Sequence, residues 1–205
     1  MSNNTSSDIF EYMGKGQAVL KDVVSVQFHS SVIEVDNNAF QHCKQTDVVL
    51  NEGLQSIGEY AFSDCELLKS INLPSTVSSI GVGVFRYCNM LKEVVLNESI
   101  DEIGFHSFYC CKTLECIIIP STTIEIGTEA FCGCTRLKEV VLGESLRSIE
   151  TRFFYIANHW IVLTSLLLSE ELGMLHFKDA LHYHRSHSHL LLLRLALQLS
   201  GAASI

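Results

Sequence analysis

The sequence predicts a solenoid, α/β-type or mostly β, of about six 23-residue units with a parallel β-sheet on its concave face. Three periodic features predict it. Phe40, Phe62, Phe85, Phe108, Phe131 and Phe154 recur at spacings of 22, 23, 23, 23 and 23 residues, and a fixed period of this length marks a stacked-repeat architecture. Five residues before each anchor stands a β-branched residue: Val35, Ile57, Ile80, Ile103, Ile126 and Ile149. Fourteen and twelve residues before each anchor stand the apolar pairs Val26/Phe28, Val48/Leu50, Ile71/Leu73, Val94/Leu96, Ile117/Ile119 and Val140/Leu142. A spacing of two puts both members on one face of a strand.

The elements follow in order. Residues 1–23 read as an N-terminal cap, with Ile9, Phe10 and Tyr12 placed to cover the open end of the stack. Residues 24–161 are the solenoid. A unit holding one short strand cannot bury its own apolar face, so units must pair strand on strand at about 4.8 Å. Gly58, Gly81, Gly104 and Gly127 follow the isoleucines and suggest a tight turn. Leu68, Leu91, Leu114 and Leu137 lie six residues after their anchors, and the first unit is one residue short and lacks that leucine. Residues 162–180 read as a degenerate terminal repeat or cap, because "LLLSEELGMLHF" echoes "VVLGESLRSIET" without an anchor Phe. Residues 181–205 are a divergent tail of different composition.

Segments such as "LLKSINLPSTVSSIGVGVF" (Leu67 to Phe85) and "LECIIIPSTTIEIGTEAF" (Leu114 to Phe131) resemble the BspA-like leucine-rich repeat. The resemblance spans roughly Val24 to Ala157. It implies a leucine-rich-repeat solenoid used for interaction or adhesion, and it brings no catalytic residues to this chain.

Charge and composition narrow the partner. Acids outnumber bases 23 to 14, giving a net charge of −9, which speaks against a general nucleic-acid binder because phosphate neutralisation needs clustered Lys and Arg. A protein or peptide partner, neutral or basic in character, is expected. The start "MSNNTSSDIF" is polar where a secretory signal would be basic and then apolar, so a cytoplasmic location is expected, with the cell surface as the alternative if the N-terminus is incomplete. The apolar run "LLLLRLALQL" is broken by Arg194 and is too short to span a bilayer, so no membrane span is expected. Sequons occur at Asn3, Asn4 and Asn97 and matter only in a secreted protein.

Cys43, Cys65, Cys88, Cys111 and Cys134 stand three residues after successive anchors, with Ala157 in the sixth unit. Their periodicity points to packing, so they are read as a buried, reduced ladder where Ala also serves. Disulfides between stacked neighbours fit the spacing but require an oxidising compartment. Zinc would need converging ligands, which a line of thiols does not supply. Cys110, Cys116 and Cys132 lie off the ladder and are the expected reactive thiols. His182, His184, His187 and His189 carry metal-ligand spacing, but they sit in a biased tail and are read as such. No metal or cofactor is expected. With no G-x-S-x-G, H-E-x-x-H or P-loop pattern, the chain is read as a non-enzyme.

One row of residues remains as a candidate site. Thirteen residues before each anchor stand Gln27, Val49, Asn72, Val95, Ile118 and Val141, alternating with inward positions and so facing outward. Val95, Ile118 and Val141, with Glu93 and Glu139 beside them, form the expected partner-binding stripe: apolar residues for affinity, acids to steer a basic partner. The function expected is a protein-interaction scaffold. A cell-surface adhesion module, or a truncated family member without retained function, is the alternative.

Overall fold

The computed structural model describes residues 9–149 and the backbone of 162–165. Its strands are β1 (Ile9–Tyr12), β2 (Ser25–Phe28), β3 (Glu34–Val35), β4 (Asp47–Val49), β5 (Ser56–Ile57), β6 (Ser70–Asn72) and β7 (Ser79–Ile80). They continue with β8 (Glu93–Val95), β9 (Glu102–Ile103), β10 (Cys116–Ile118), β11 (Glu125–Ile126), β12 (Glu139–Leu142), β13 (Ser148–Ile149) and β14 (Val162–Ser165). None of the described residues is helical, so the solenoid is mostly β. Anchor Phe154 and the four tail histidines lie outside the described residues.

Each unit runs along three sides. On the first side lie the strands expected from the apolar pairs, hydrogen-bonded in parallel as β1-β2-β4, β6-β8 and β10-β12-β14. Their registers step by one repeat: Val26 opposite Val48, Ile71 opposite Val94, Ile117 opposite Val140. β14 carries the step onward, with Glu139 opposite Val162. At the other end, part of the expected cap is itself a strand, since β1 pairs in parallel with β2 and its Tyr12 is buried against Phe28 and Phe40, both at 4.9 Å.

A second side was not foreseen. The sequence reading allowed one strand per unit, whereas the structure has two. β3-β5 and β7-β9-β11-β13 form a further parallel ladder of two-residue strands ending on the β-branched row that precedes each anchor. Two residues are too few to show alternation, which explains the omission.

The third side is built from turns, and its geometry is unusual. Residues two before and two after each anchor have positive φ: Asn38 and His42, Tyr60 and Asp64, Gly83 and Tyr87, His106 and Cys110. A left-handed non-glycine residue costs about 1–2 kcal/mol. The cost is offset by a complete backbone network. Asn38, Phe40 and His42 donate N–H bonds to Glu59, Ala61 and Ser63 of the next unit at 2.8–2.9 Å, while Ala39, Gln41 and Cys43 bond three residues back. Buried peptide groups left unpaired here would cost more than the strain.

Inside, the anchors form one continuous stack. Rings from Phe40 to Phe131 lie 5.1, 5.8, 5.4 and 5.1 Å apart and within 19° of parallel. Leu68, Leu91, Leu114 and Leu137 fill the row beside them and are fully buried. In the short first unit this row is occupied by Gln45, also fully buried, whose Nε2 donates to Cys65 Sγ at 3.0 Å while its Oε1 has no partner.

Of the glycines after the isoleucines, Gly58, Gly104 and Gly127 are set by close approach, whereas an added Cβ at Gly81 would meet nothing nearer than 3.6 Å. At Gly127 an added Cβ would lie 2.7 Å from the Phe105 nitrogen, and at Gly104 2.8 Å from the Ile80 oxygen. The backbone of the preceding unit occupies the space a side chain would need, so these positions are glycine for steric reasons.

Candidate functional site

The cysteine ladder has a chemical reason that packing alone does not give. Each thiol donates to the carbonyl of the anchor one unit back: Cys65 to Phe40, Cys88 to Phe62, Cys111 to Phe85 and Cys134 to Phe108, all at 3.1 Å. Each of these carbonyls also accepts a backbone N–H from within its own turn. The thiol therefore stitches neighbouring units through a buried acceptor, something the alanine expected as an equivalent cannot do. All eight cysteines lie within the described residues, and none is in a disulfide.

Burial keeps the ladder protonated. It pushes Cys43 up to about 11, with Cys65 adding to the rise and Lys21 opposing it. Burial likewise raises Cys65, Cys88, Cys111 and Cys134. Of the three thiols expected to be reactive, Cys132 is a correction: it is buried, because the residue after the anchor turns inward in its unit. Cys110 is half-buried and Cys116 exposed. Neither is activated, since desolvation raises both, and at Cys116 the neighbouring Glu139 raises it further. In native reduced protein, Cys116 should alkylate first, Cys110 more slowly, and Cys65, Cys88 and Cys111 only on unfolding. Mass-spectrometric labelling that modifies a ladder cysteine as fast as Cys116 would contradict this arrangement.

The outward row of the first side exposes apolar side chains. Val49, Val95 and Ile118 are 59%, 46% and 63% exposed, and Val141, on a strand flanked by β10 and β14, is half-buried. Asn72 and Gln27 interrupt or end the row and are exposed. Pairing places Asn72 opposite Val95 and Ile118 opposite Val141, one rung apart. Glu93 is exposed and Glu139 half-buried in the adjoining row. Glu139 stands opposite Cys116.

Charges sit at the two edges of this sheet. Lys69, Lys92 and Lys138 precede β6, β8 and β12 directly, whereas Glu52, Glu98 and Glu144 follow β4, β8 and β12 at the corner toward the second ladder. All six are exposed. Lys138 Nζ lies 2.8 Å from Glu115 Oε2, an exposed pair that holds the Glu115 carboxyl below its ordinary value through the hydrogen bond first and the charge second.

Sequence reasoning missed an aromatic cluster on the turn side. The Arg86 guanidinium lies over Tyr87 at 4.7 Å and Tyr109 at 5.6 Å, and those two rings meet edge to face at 5.5 Å. The His106 ring stacks on Phe105 at 3.7 Å, with its Nε2 2.9 Å from Glu129 Oε2. These residues occupy four different offsets from the anchors, so no single column of the repeat reveals them. Their rings already pack against one another, stacked, tilted or edge to face.

Asn97, the internal sequon, is also structural. Its amide nitrogen donates to the Pro74 and Val77 carbonyls, at 2.6 and 3.0 Å, and its oxygen accepts from the Ser99 N–H. A Ser–His contact occurs at Ser31 and His29, but the imidazole Nδ1 also accepts the Ser31 N–H, which closes a local turn. Among the described residues, no group of three or more His, Cys, Asp or Glu is placed to hold a metal, and no helix is long and apolar enough to cross a membrane.

Comparison with known proteins agrees with this geometry. The chain resembles a T. pallidum leucine-rich repeat protein of known structure at 27% identity and a TM-score of 0.67, covering 78% of this chain and 74% of that one. Two further structures share the fold: the pneumococcal vaccine antigen PcpA (24% identity, TM-score 0.56) and a Bacteroides ovatus leucine-rich repeat protein (24%, 0.54). They cover 68% and 70% of this chain, which spans only 35% and 44% of their own lengths. No curated protein matches. Six copies of the BspA type leucine-rich repeat match over residues 19–123 and 101–172, and the chain belongs to that family.

Proposed function

We propose that this chain is a protein-interaction scaffold without catalytic activity, binding a protein or peptide partner on the outward face of its first strand ladder. The exposed row Val49, Val95 and Ile118 carries the reading, because β-branched side chains left in water along one sheet face are the surface a partner would cover. Glu93 and Glu139 would steer a partner with basic character, and Val141 would extend the contact toward β14. Membership of a repeat family with parallel ladders supports it, since such solenoids offer a long surface and no enclosed pocket.

The test replaces Val95, Ile118 and Val141 together by Thr. Branching at Cβ is kept, so the strands should persist, while apolar contact area is lost. Proteins retained by the wild type should bind the triple variant at least tenfold more weakly, equivalent to about 1.4 kcal/mol. Equal retention by a variant whose circular dichroism is unchanged would remove the site from this face. A cell-surface adhesion module would use the same row, and fractionation of the native host decides between a surface and a cytoplasmic location.

A further inference from the structure

The two edges of the first ladder are oppositely charged within single rungs. β8 is preceded by Lys92 and followed three residues later by Glu98, and β12 is preceded by Lys138 and followed two residues later by Glu144. Lysine to glutamate is the same six-residue step both times, across the sheet, with Val95 and Val141 between them. From one edge to the other the face therefore reads base (Lys92, Lys138), acid (Glu93, Glu139), apolar (Val95, Val141), acid (Glu98, Glu144), at two rungs set two repeats apart.

Such a face is complementary to itself in one orientation. A twofold axis running along the stack brings two copies face to face and parallel, and it exchanges left and right edges without shifting the rung. Lys92 then meets Glu98 of the second copy, and Lys138 meets its Glu144, with each pair made twice as an isologous contact requires. Val95, Ile118 and Val141 fall on the axis and meet their own counterparts. The antiparallel alternative, with the axis along the strands, would set lysines against lysines and glutamates against glutamates, and like charges disfavour it. Lys138 now pairs with Glu115 of its own chain, both side chains more than half exposed, and Glu98 Oε2 accepts from the Ser121 N–H and hydroxyl at 3.1 and 2.8 Å, also exposed, so these contacts exchange at little cost.

We propose that this face binds a second copy of the chain as a parallel, twofold dimer held by the apolar row and by reciprocal Lys92–Glu98 and Lys138–Glu144 pairs. The proposal rests on the interaction-face reading above and names its partner; the second copy carries a net charge of −9, so the basic groups it offers are local, Lys92 and Lys138 on its edge.

Sedimentation of the full chain over a concentration series, at about 50 mM and 500 mM salt, tests it, because screening weakens exposed charge pairs. The wild type should dimerise, more tightly at low salt. A Lys92→Glu/Lys138→Glu variant has two acidic edges, and a Glu98→Lys/Glu144→Lys variant has two basic ones. Each alone should dimerise at least tenfold more weakly. Mixed in equal amounts they should form a heterodimer tighter than either homodimer. A wild type that stays monomeric, or charge variants that self-associate like the wild type at low salt, or a mixture that fails to pair, overturns the proposal. If the wild type is monomeric while the Val95/Ile118/Val141→Thr variant still loses captured proteins, the self-partner fails and the interaction face stands.

Discussion

Phe85→Ala is expected to lower the unfolding free energy by about 3–5 kcal/mol, the range for truncating a buried aromatic. Phe85 is fully buried and stacked on two rings at once, Phe62 at 5.8 Å and Phe108 at 5.4 Å. Each such contact adds about 0.5–1.5 kcal/mol beyond the area it buries. The Phe85 carbonyl also takes the Cys111 thiol, so a shifted backbone would loosen the next unit. In a stack whose units touch only their neighbours, the damage should spread along the axis and lower the cooperativity of unfolding. Denaturant melts read both quantities. A loss below about 1 kcal/mol would mean that the anchor column does not hold the units together.

The second large effect runs the other way. Gln45→Leu should raise stability by about 1–3 kcal/mol, because it removes a buried carbonyl oxygen that has no partner and places leucine in the row of Leu68 and Leu91. The only bond lost runs from Nε2 to the Cys65 sulfur, a weak acceptor. Gln45→Ala separates the contributions. It removes the same oxygen but leaves a cavity, so it should fall well below Gln45→Leu in the same melts. A destabilised Gln45→Leu would show that the amide fills a role in the first unit that leucine cannot.

Much of this fold was legible because its period is strict. The anchors, the apolar pairs and the thiol row keep fixed offsets, and among the described residues they form columns of the interior, with Val48, Leu50 and Leu96 of the pairs only half-buried. What escaped the reading has a physical cause in each case. The two-residue strands are too short to alternate. The left-handed turn positions also hold Tyr60, Tyr87, Cys110 and Glu129, whose identities give no sign of positive φ, and this mixture hides the hint carried by Asn38, Asp64, Gly83 and Gly133 in equivalent places. Gln45 was overlooked because the short unit was counted forward from Phe40. Counted back from Phe62 it takes the leucine position, since the deletion precedes it. The outward row proposed for binding was legible as outward-facing, but its exposure is not uniform, and Val141 is half-buried.

The central claim is that binding resides on the first ladder and not on the solenoid as a whole. Equilibrium titration of one recovered partner, or of a second copy, against three folded proteins tests it most directly. These are the wild type, the Val95/Ile118/Val141→Thr variant, and an Ile33→Thr/Ile124→Thr variant that removes apolar surface next to the second ladder, where the two isoleucines are 57% and 43% exposed. The account predicts a loss of tenfold or more in the first variant and unchanged affinity in the second. Unchanged affinity in the first, or an equal loss in both, would contradict it.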